Sequence, residues 1–282
     1  MKGYYNKSDI NTKNHKMEIE DLIKEYKKLK IEEVFNYEEF NNILLTTHST
    51  RIEGSTLSFE EACELIQKGN TPAGKNIDFS LQVLDHYNAL KFVLSEAEKD
   101  NNLSVKLIQE IASKVMARTG EIYENILGKV DVSKGEFRNT SVRAGNKTFM
   151  NFQKVPSAVE ALVKELKELY PKQKTVEEQL SLSFYAHYAL VNIHPFLDGN
   201  GRTSRLLMNF IQRKYDLPLG IVFAEDKEQY YKSLDSVQET ECLDKYNDFM
   251  FGQYEKHLQK EIYKQKKVDE EKEISFKSKF KR

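Results

Sequence analysis

At 282 residues the chain can form one large domain or two small ones, and 39% hydrophobic with 31% charged residues suits a water-soluble helical protein with a real core. A formal charge of −1 implies no general attraction to nucleic acid or an anionic membrane, and the two cysteines, Cys63 and Cys242, form no CxxC pair, which argues against a disulfide framework or zinc site. That cysteine usage suits a reducing compartment, the first sixteen residues lack an apolar signal core, and no run of about 18 apolar residues appears, so a cytoplasmic protein without a membrane span is expected.

Residues 1–15 are polar. His15 to Val34 alternates apolar and charged residues at helical spacing, and Tyr37 to Gly54 reads as a second helix with Phe40, Ile43, Leu44 and Thr47 on one face. Gly54 suits its C-cap. Ser58, with Glu61 three residues on, is a capping box that opens a short helix to about Lys68. Asn70 to Gly74 is a loop, and the pattern then predicts helices over Asp78–Glu98 and Ser104–Arg118, with Ser104 as N-cap. Thr119 to Pro156 breaks the helical period. Within it, Phe137–Val142 and Thr148–Phe152 suit two short strands turned at Ala144-Gly145-Asn146-Lys147. Ser157 to Tyr170 is an amphipathic helix stopped by Pro171, and Lys227–Thr240 and Leu243 to about Lys264 are further helical patterns. From Lys266 a charged tail is expected, basic at its end through Lys277, Lys279, Lys281 and Arg282.

The chemistry concentrates in His194-Pro195-Phe196-Leu197-Asp198-Gly199-Asn200-Gly201-Arg202-Thr203-Ser204-Arg205. Upstream, Glu177 to Asn192 is apolar nearly all round and reads as a buried helix. Pro195 stops it, because proline disfavours helical geometry in the residue before it. From about Gly201 a second helix starts, with Leu206, Leu207, Phe210 and Ile211 at helical spacing. The segment between is a tight loop feeding a helix N-terminus, where unpaired N–H groups and a positive dipole favour anions. Gly199 and Gly201 let a phosphate approach the backbone, and Arg202 and Arg205 share a helical face with guanidinium forks suited to phosphate oxygens. Asp198 is a hard oxygen ligand for a phosphate-bound Mg²⁺, and His194 is a base near neutral pH. Together these make a phosphoryl- or nucleotidyl-transfer site.

The stretch matches every fixed position of the Fic motif, HPFx(D/E)GNGRxxR, and the chain resembles Fic-domain proteins over roughly residues 37–240. The resemblance implies a mostly α Fic fold with a short β-hairpin flap. With the helical patterns outside that range, the expected division is an N-terminal helical extension (1–98, inhibitory helix about 37–54), a Fic core (99–240, flap about 135–152) and a C-terminal helix with charged tail (241–282). It implies transfer of AMP from ATP to a Ser, Thr or Tyr hydroxyl of a target protein, with Mg²⁺ (Mn²⁺ as a substitute) as cofactor. By position, His194 would deprotonate the hydroxyl and Asp198 would hold the metal on the α- and β-phosphates. Asn200 with the amides around Gly199 and Gly201 would cradle those phosphates, Arg202 would grip the β-phosphate and Arg205 receive the γ-phosphate. Gly135-Glu136-Phe137-Arg138 followed by Val142 looks like the flap, with the target clamped near Val142. Tyr230-Tyr231 followed by Leu234 resembles the YYxxL element of the nucleotide pocket. Gln238 stands where many relatives have an adenine-reading Asn, which leaves base selectivity open. Relatives of this class often pair through the Fic core, so a homodimer is an expectation; nucleic acid and membrane are not expected partners.

Ser49-Thr50-Arg51-Ile52-Glu53-Gly54 fits (S/T)xxxE(G/N), the inhibitory motif of Fic proteins that carry their brake N-terminal to the domain. Glu53 is expected to form a bidentate pair with Arg205, with Ser49 holding the helix end, so that a triphosphate is displaced or misplaced. Two other functional classes stay open: a hydrolase that removes AMP at the same site, and a catalytically silent scaffold, against which the intact His, Asp and Arg set argues. Transfer of phosphate or another nucleotide is a further alternative, though the glycines flanking Asn200 favour the AMP pattern. Of six histidines, His187 lies seven residues before His194, as a metal partner or a hydrogen-bonded core residue.

Overall fold

The computed structural model describes residues 15–99, 103–144 and 147–279. Four helices come first: α1 (His15–Lys28), α2 (Tyr37–Ile52), α3 (Phe59–Lys68) and α4 (Ile77–Glu98). Ser58 and Glu61 form the expected capping box of α3, closing two orphan donors at once. After α5 (Val105–Val115), capped by Ser104, the chain leaves the helical regime for two small hairpins, β1–β2 (Ile122–Asn125 with Gly128–Asp131) and β3–β4 (Arg143–Ala144 with Lys147–Thr148). The helices α6 (Val155–Leu169), α7 (Val176–Ile193), α8 (Asn200–Lys214), α9 (Lys227–Thr240) and α10 (Asp244–Lys279) complete the order.

The buried, apolar α7 packs along α8, and α4 crosses α8 from the other side. One continuous core runs from Ile19 and Ile23 of α1 through Leu90, Leu162, Phe184 and Phe210 to Tyr246 and Leu258 of α10. The segments 1–98, 99–240 and 241–282 therefore share buried surface, each large apolar side chain contributing about 1.5–3 kcal/mol. A smaller cluster of Ile43, Leu57, Ala62, Leu65 and Val83 fastens α3 to α2 and α4. Among the described residues no helix is long and apolar enough to cross a membrane.

Three expectations need correction. The flap strands are two residues each, far shorter than Phe137–Val142 and Thr148–Phe152, because Phe137 packs on Phe196 and the Arg138 N–H bonds to Pro195 O instead of to a partner strand. The turn residues Gly145 and Asn146 lie outside the described residues. A hairpin at 122–131 was not expected, since its turn carries Ile126 and Leu127; Asn125 makes it by accepting the Leu127 N–H, with Gly128 at φ 116°. Finally, α10 continues to Lys279 instead of ending near Lys264. Strong helix formers carry it past the last apolar period, helped by Gln265–Asp269 and by Lys266 pairing with Glu25 of α1. The side chains of Lys277, Lys279, Lys281 and Arg282 lie outside the described residues.

Candidate active site

Between α7 and α8 the chain reverses within six residues. His194 ends α7 in the left-handed region (φ 53°, ψ 60°), outside the α region that Pro195 disfavours. Asn200, buried at the start of α8, accepts the Phe196 N–H and donates to Phe196 O, both at 2.9 Å, which locks the loop across its own mouth. Gly199 is the N-cap of α8 at φ 78°, where a Cβ would also lie 2.9 Å from Met116, so a side chain is excluded twice. No side-chain cap closes the helix, so its first-turn N–H groups and dipole stay available to an anion.

Into that N-terminus reaches the end of α2. Glu53, its C-cap residue, accepts a 2.7 Å bond from Arg205 Nη2, while Ser49 takes Arg205 Nε on its hydroxyl and Nη2 on its carbonyl, each at 2.9 Å. Ser49 thus grips the arginine itself, and the carboxylate contact is a single bond instead of the expected bidentate pair. A Cβ on Gly201 would stand 2.5 Å from Glu53 Oε1, so the missing side chain is what admits the carboxylate. Burial opposes ionisation of Glu53, but the Arg205 and Arg202 charges outweigh it and hold its pKa below the ordinary value. Burial likewise opposes the Arg205 charge, and Glu53 reverses the effect, so its pKa rises.

Arg202 is fully buried; its Nη2 reaches Met116 Sδ at 3.2 Å and Asp198 at 3.4 Å, while Nε and Nη1 make no hydrogen bond within the described protein. Arg205 Nη1 also has no hydrogen-bond partner among the described residues, although the Tyr230 hydroxyl lies close enough to the guanidinium to favour its charge. Burial pulls the Arg202 pKa down. Asp198 accepts the Gly199 N–H at 2.5 Å and keeps a side chain 60% exposed. Among the described residues no three His, Cys, Asp or Glu side chains are grouped to hold a metal. One exposed carboxylate beside unmatched guanidinium donors fits Mg²⁺, which is held by one or two carboxylates plus substrate phosphates and seldom by an all-protein cage.

The flap side is built differently. Phe149 stacks on the His194 imidazole, ring centroids 3.8 Å apart at 17°. Val142 is half-buried, and its carbonyl accepts the Phe149 N–H. Arg138, which carried no assigned role in the sequence beyond its place in the flap signature, is buried and bonds to carbonyls on both sides of the flap and at His194.

Farther out, Tyr230 is buried and Tyr231 is 40% exposed, while Gln238 sits on the exposed side of α9. His187 is a core histidine. The Tyr246 hydroxyl donates to Phe184 O, so its oxygen accepts from His187 Nδ1 at 2.6 Å, and Nε2 accepts the Tyr230 hydroxyl at 2.9 Å. Burial drives its pKa down to about 3, consistent with this neutral form.

The profile of the Fic/DOC family matches residues 102–212. Proteins named protein adenylyltransferase Fic are similar: that of Drosophila grimshawi is 31% identical over 189 residues, covering 66% of this chain and 36% of the relative. That of Aedes aegypti is 31% identical over 195 residues, covering 68% and 36%. The chain thus spans about a third of the length of the curated relatives it matches. Among solved structures, a Fic domain containing signaling protein from Bacteroides thetaiotaomicron superposes with a TM-score of 0.75 at 22% identity, covering 88% of this chain and 97% of that one. Fic-1 (residues 134–508) from C. elegans gives 0.75 at 24%, covering 91% and 73%; at these identities the likeness is one of fold. The chain therefore carries a Fic domain, its residues 102–212 belonging to the Fic/DOC family.

Proposed function

We propose that the chain is a protein adenylyltransferase, moving AMP from ATP to a Ser, Thr or Tyr hydroxyl of a target protein, and that Glu53 holds it in check through Arg205. The observation that carries this reading is the carboxylate lodged over Gly201, bonded to Arg205, at an uncapped helix end whose two buried guanidinium groups keep unmatched donors. A triphosphate suits those donors, and Glu53 competes with it for Arg205 and for the helix dipole. His194 takes the proton of the hydroxyl, whose oxygen bonds to the α-phosphorus while the bond to pyrophosphate breaks. Arg202 and Arg205 bind the β- and γ-phosphates, and the backbone around Gly199 and Gly201 receives the α- and β-phosphates, with Asn200 fixing the loop that presents it. Asp198 would hold Mg²⁺, which would supply neutralisation of the phosphate charge. The target lies extended along the flap near Val142, and the Tyr230–Tyr231 segment borders the base. A homodimer through the Fic core and a cytoplasmic setting belong to the same reading.

The test is labelling with α-³²P-ATP of cell lysate or a purified target. Glu53→Gly is expected to raise labelling on the order of a hundredfold, the equivalent of about 2.8 kcal/mol, and His194→Ala to abolish it. Equal labelling by wild type and Glu53→Gly removes the brake; labelling by His194→Ala removes the mechanism. A second reading, removal of AMP with Glu53 orienting a water, is favoured by the 28% exposure of that carboxylate at the phosphate end of the site. Release of AMP from a modified target with Mg²⁺ and no ATP, lost in Glu53→Gly, would establish it.

A further inference from the structure

Three of the donors on the Arg138 guanidinium end on main-chain carbonyls: Nε on His194 O at 2.8 Å, Nη1 on Thr140 O at 2.8 Å and Nη2 on Met150 O at 2.6 Å. Its own N–H bonds to Pro195 O at 3.0 Å. Thr140 and Met150 stand at the two feet of the β3–β4 hairpin. The ladder runs from Ala144↔Lys147 through Arg143↔Thr148 to the Phe149 N–H bonded to Val142 O. Below that rung the limbs are joined through the guanidinium, and its third donor holds the carbonyl of the residue whose ring does the proton transfer. Phe149, one residue before Met150, lies flat on that ring.

We propose that Arg138 is a positioning residue, a clasp that makes the target-receiving hairpin and the His194 imidazole one rigid unit. The inference rests on the adenylyltransferase reading, in which the flap seats the target and His194 takes its proton. Chemistry favours a guanidinium here: three carbonyls converging from three directions need a planar fork, whereas an ammonium is a point charge on a flexible stem. The surroundings agree, since burial alone weighs on the Arg138 charge and no carboxylate among the described residues offsets it. A cation placed there for pairing would have an acidic partner; this one is spent on geometry. The clasp also holds His194 in its left-handed conformation from the carbonyl side while Phe149 holds it from the ring side. Target binding that straightens or shifts either limb at 140 or 150 is therefore transmitted to the base.

The experiment compares Arg138→Lys and Arg138→Met in the Glu53→Gly background, with three readouts: Mg²⁺–ATP affinity by calorimetry, steady-state transfer to a peptide target, and NMR of a sample ¹⁵N-labelled at both histidine and phenylalanine. Arg138→Lys is expected to bind Mg²⁺–ATP within twofold of the parent and to lose on the order of a hundredfold in kcat/KM for the peptide, with KM for ATP unchanged. The His194 ring signals are expected to move and the Phe149 amide to exchange at least tenfold faster. Because the two NMR readouts need no turnover, a chain inactive for other reasons still tests the clasp. Should Arg138→Met unfold, as judged by lost ATP binding, Arg138→Lys is the deciding variant. Parental kcat/KM with unmoved His194 signals in Arg138→Lys overturns the proposal, as does a loss confined to the KM for ATP.

Discussion

Arg138 and Arg202 are equally buried, each 2% exposed, yet the protein treats them in opposite ways. The three side-chain hydrogen bonds of Arg138 end on carbonyls at 2.6–2.8 Å. Arg202 is met by a thioether and, at 3.4 Å, by a carboxylate, and two of its nitrogens have no hydrogen-bond partner among the described residues. An unsatisfied buried donor costs about 1–3 kcal/mol, more when charged. A fold tolerates that where a ligand repays it. The two ends of one loop thus divide the labour: matched donors near His194 hold shape, and unmatched donors near α8 await an anion.

The sharpest test of this contrast is a pair of truncations. Arg202→Met is expected to weaken Mg²⁺–ATP binding about 10²- to 10³-fold, the loss typical of one partner in a buried charge contact, while raising the stability of the nucleotide-free protein by about 1–2 kcal/mol. Arg138→Met is expected to lower that stability by about 3 kcal/mol, since it strands buried carbonyls. Calorimetry and thermal unfolding with and without Mg²⁺–ATP measure both, and equal destabilisation by the two would break the comparison. Next in size, Mg²⁺–ATP at a hundredfold excess over Kd adds about 2.7 kcal/mol of stability. At a fixed concentration the gain in Tm is expected to be larger for Glu53→Gln than for wild type, because Arg205 is then free for phosphate.

The smallest effect concerns pH. The Glu53 pKa lies below its unfolded value of 4.5. Its ionised pairing is therefore fully present above pH 4.5 and lost only as pH falls through the lower folded value. The ratio of ATP affinities, Glu53→Gln over wild type, is expected to stay flat from pH 8 to pH 5 in calorimetric titrations. A ratio that collapses between pH 6 and 5 would mean that Glu53 is not held by the guanidinium charge.

The unmatched end was legible in the sequence because its parts are contiguous: Asp198 to Arg205 carry glycines, carboxylate and guanidinium groups in one run. The Glu53–Arg205 contact was legible from charge and motif across 152 residues, but the double grip of Ser49 on Arg205 was not, since one of its acceptors is a main-chain carbonyl. The same blindness hid Arg138, whose partners are all carbonyls and leave no mark in residue identity. It also misplaced the flap strands, because a backbone committed to Pro195 looks no different in sequence from one committed to a ladder. The hairpin at 122–131 escaped for another reason: its tip, Ile126 fully exposed and Leu127 at 58%, inverts the usual polarity of a turn. Helix boundaries fared better wherever a cap announced them, as at Ser58 and Ser104.

The buried face of α2 is largely polar, with Asn42, Thr46, Thr47, Ser49 and Thr50, and the Thr47 and Thr50 hydroxyls bond back to carbonyls of their own helix. Glu53 sits just past its last turn, with Gly54 behind it at φ 105°. Withdrawing the carboxylate therefore asks for fraying of a single turn, an opening that leaves the rest of the molecule folded. If Glu53 acts as the brake proposed above, a tug on residues 54–58 would suffice to free Arg205 by local melting, with no domain swinging away.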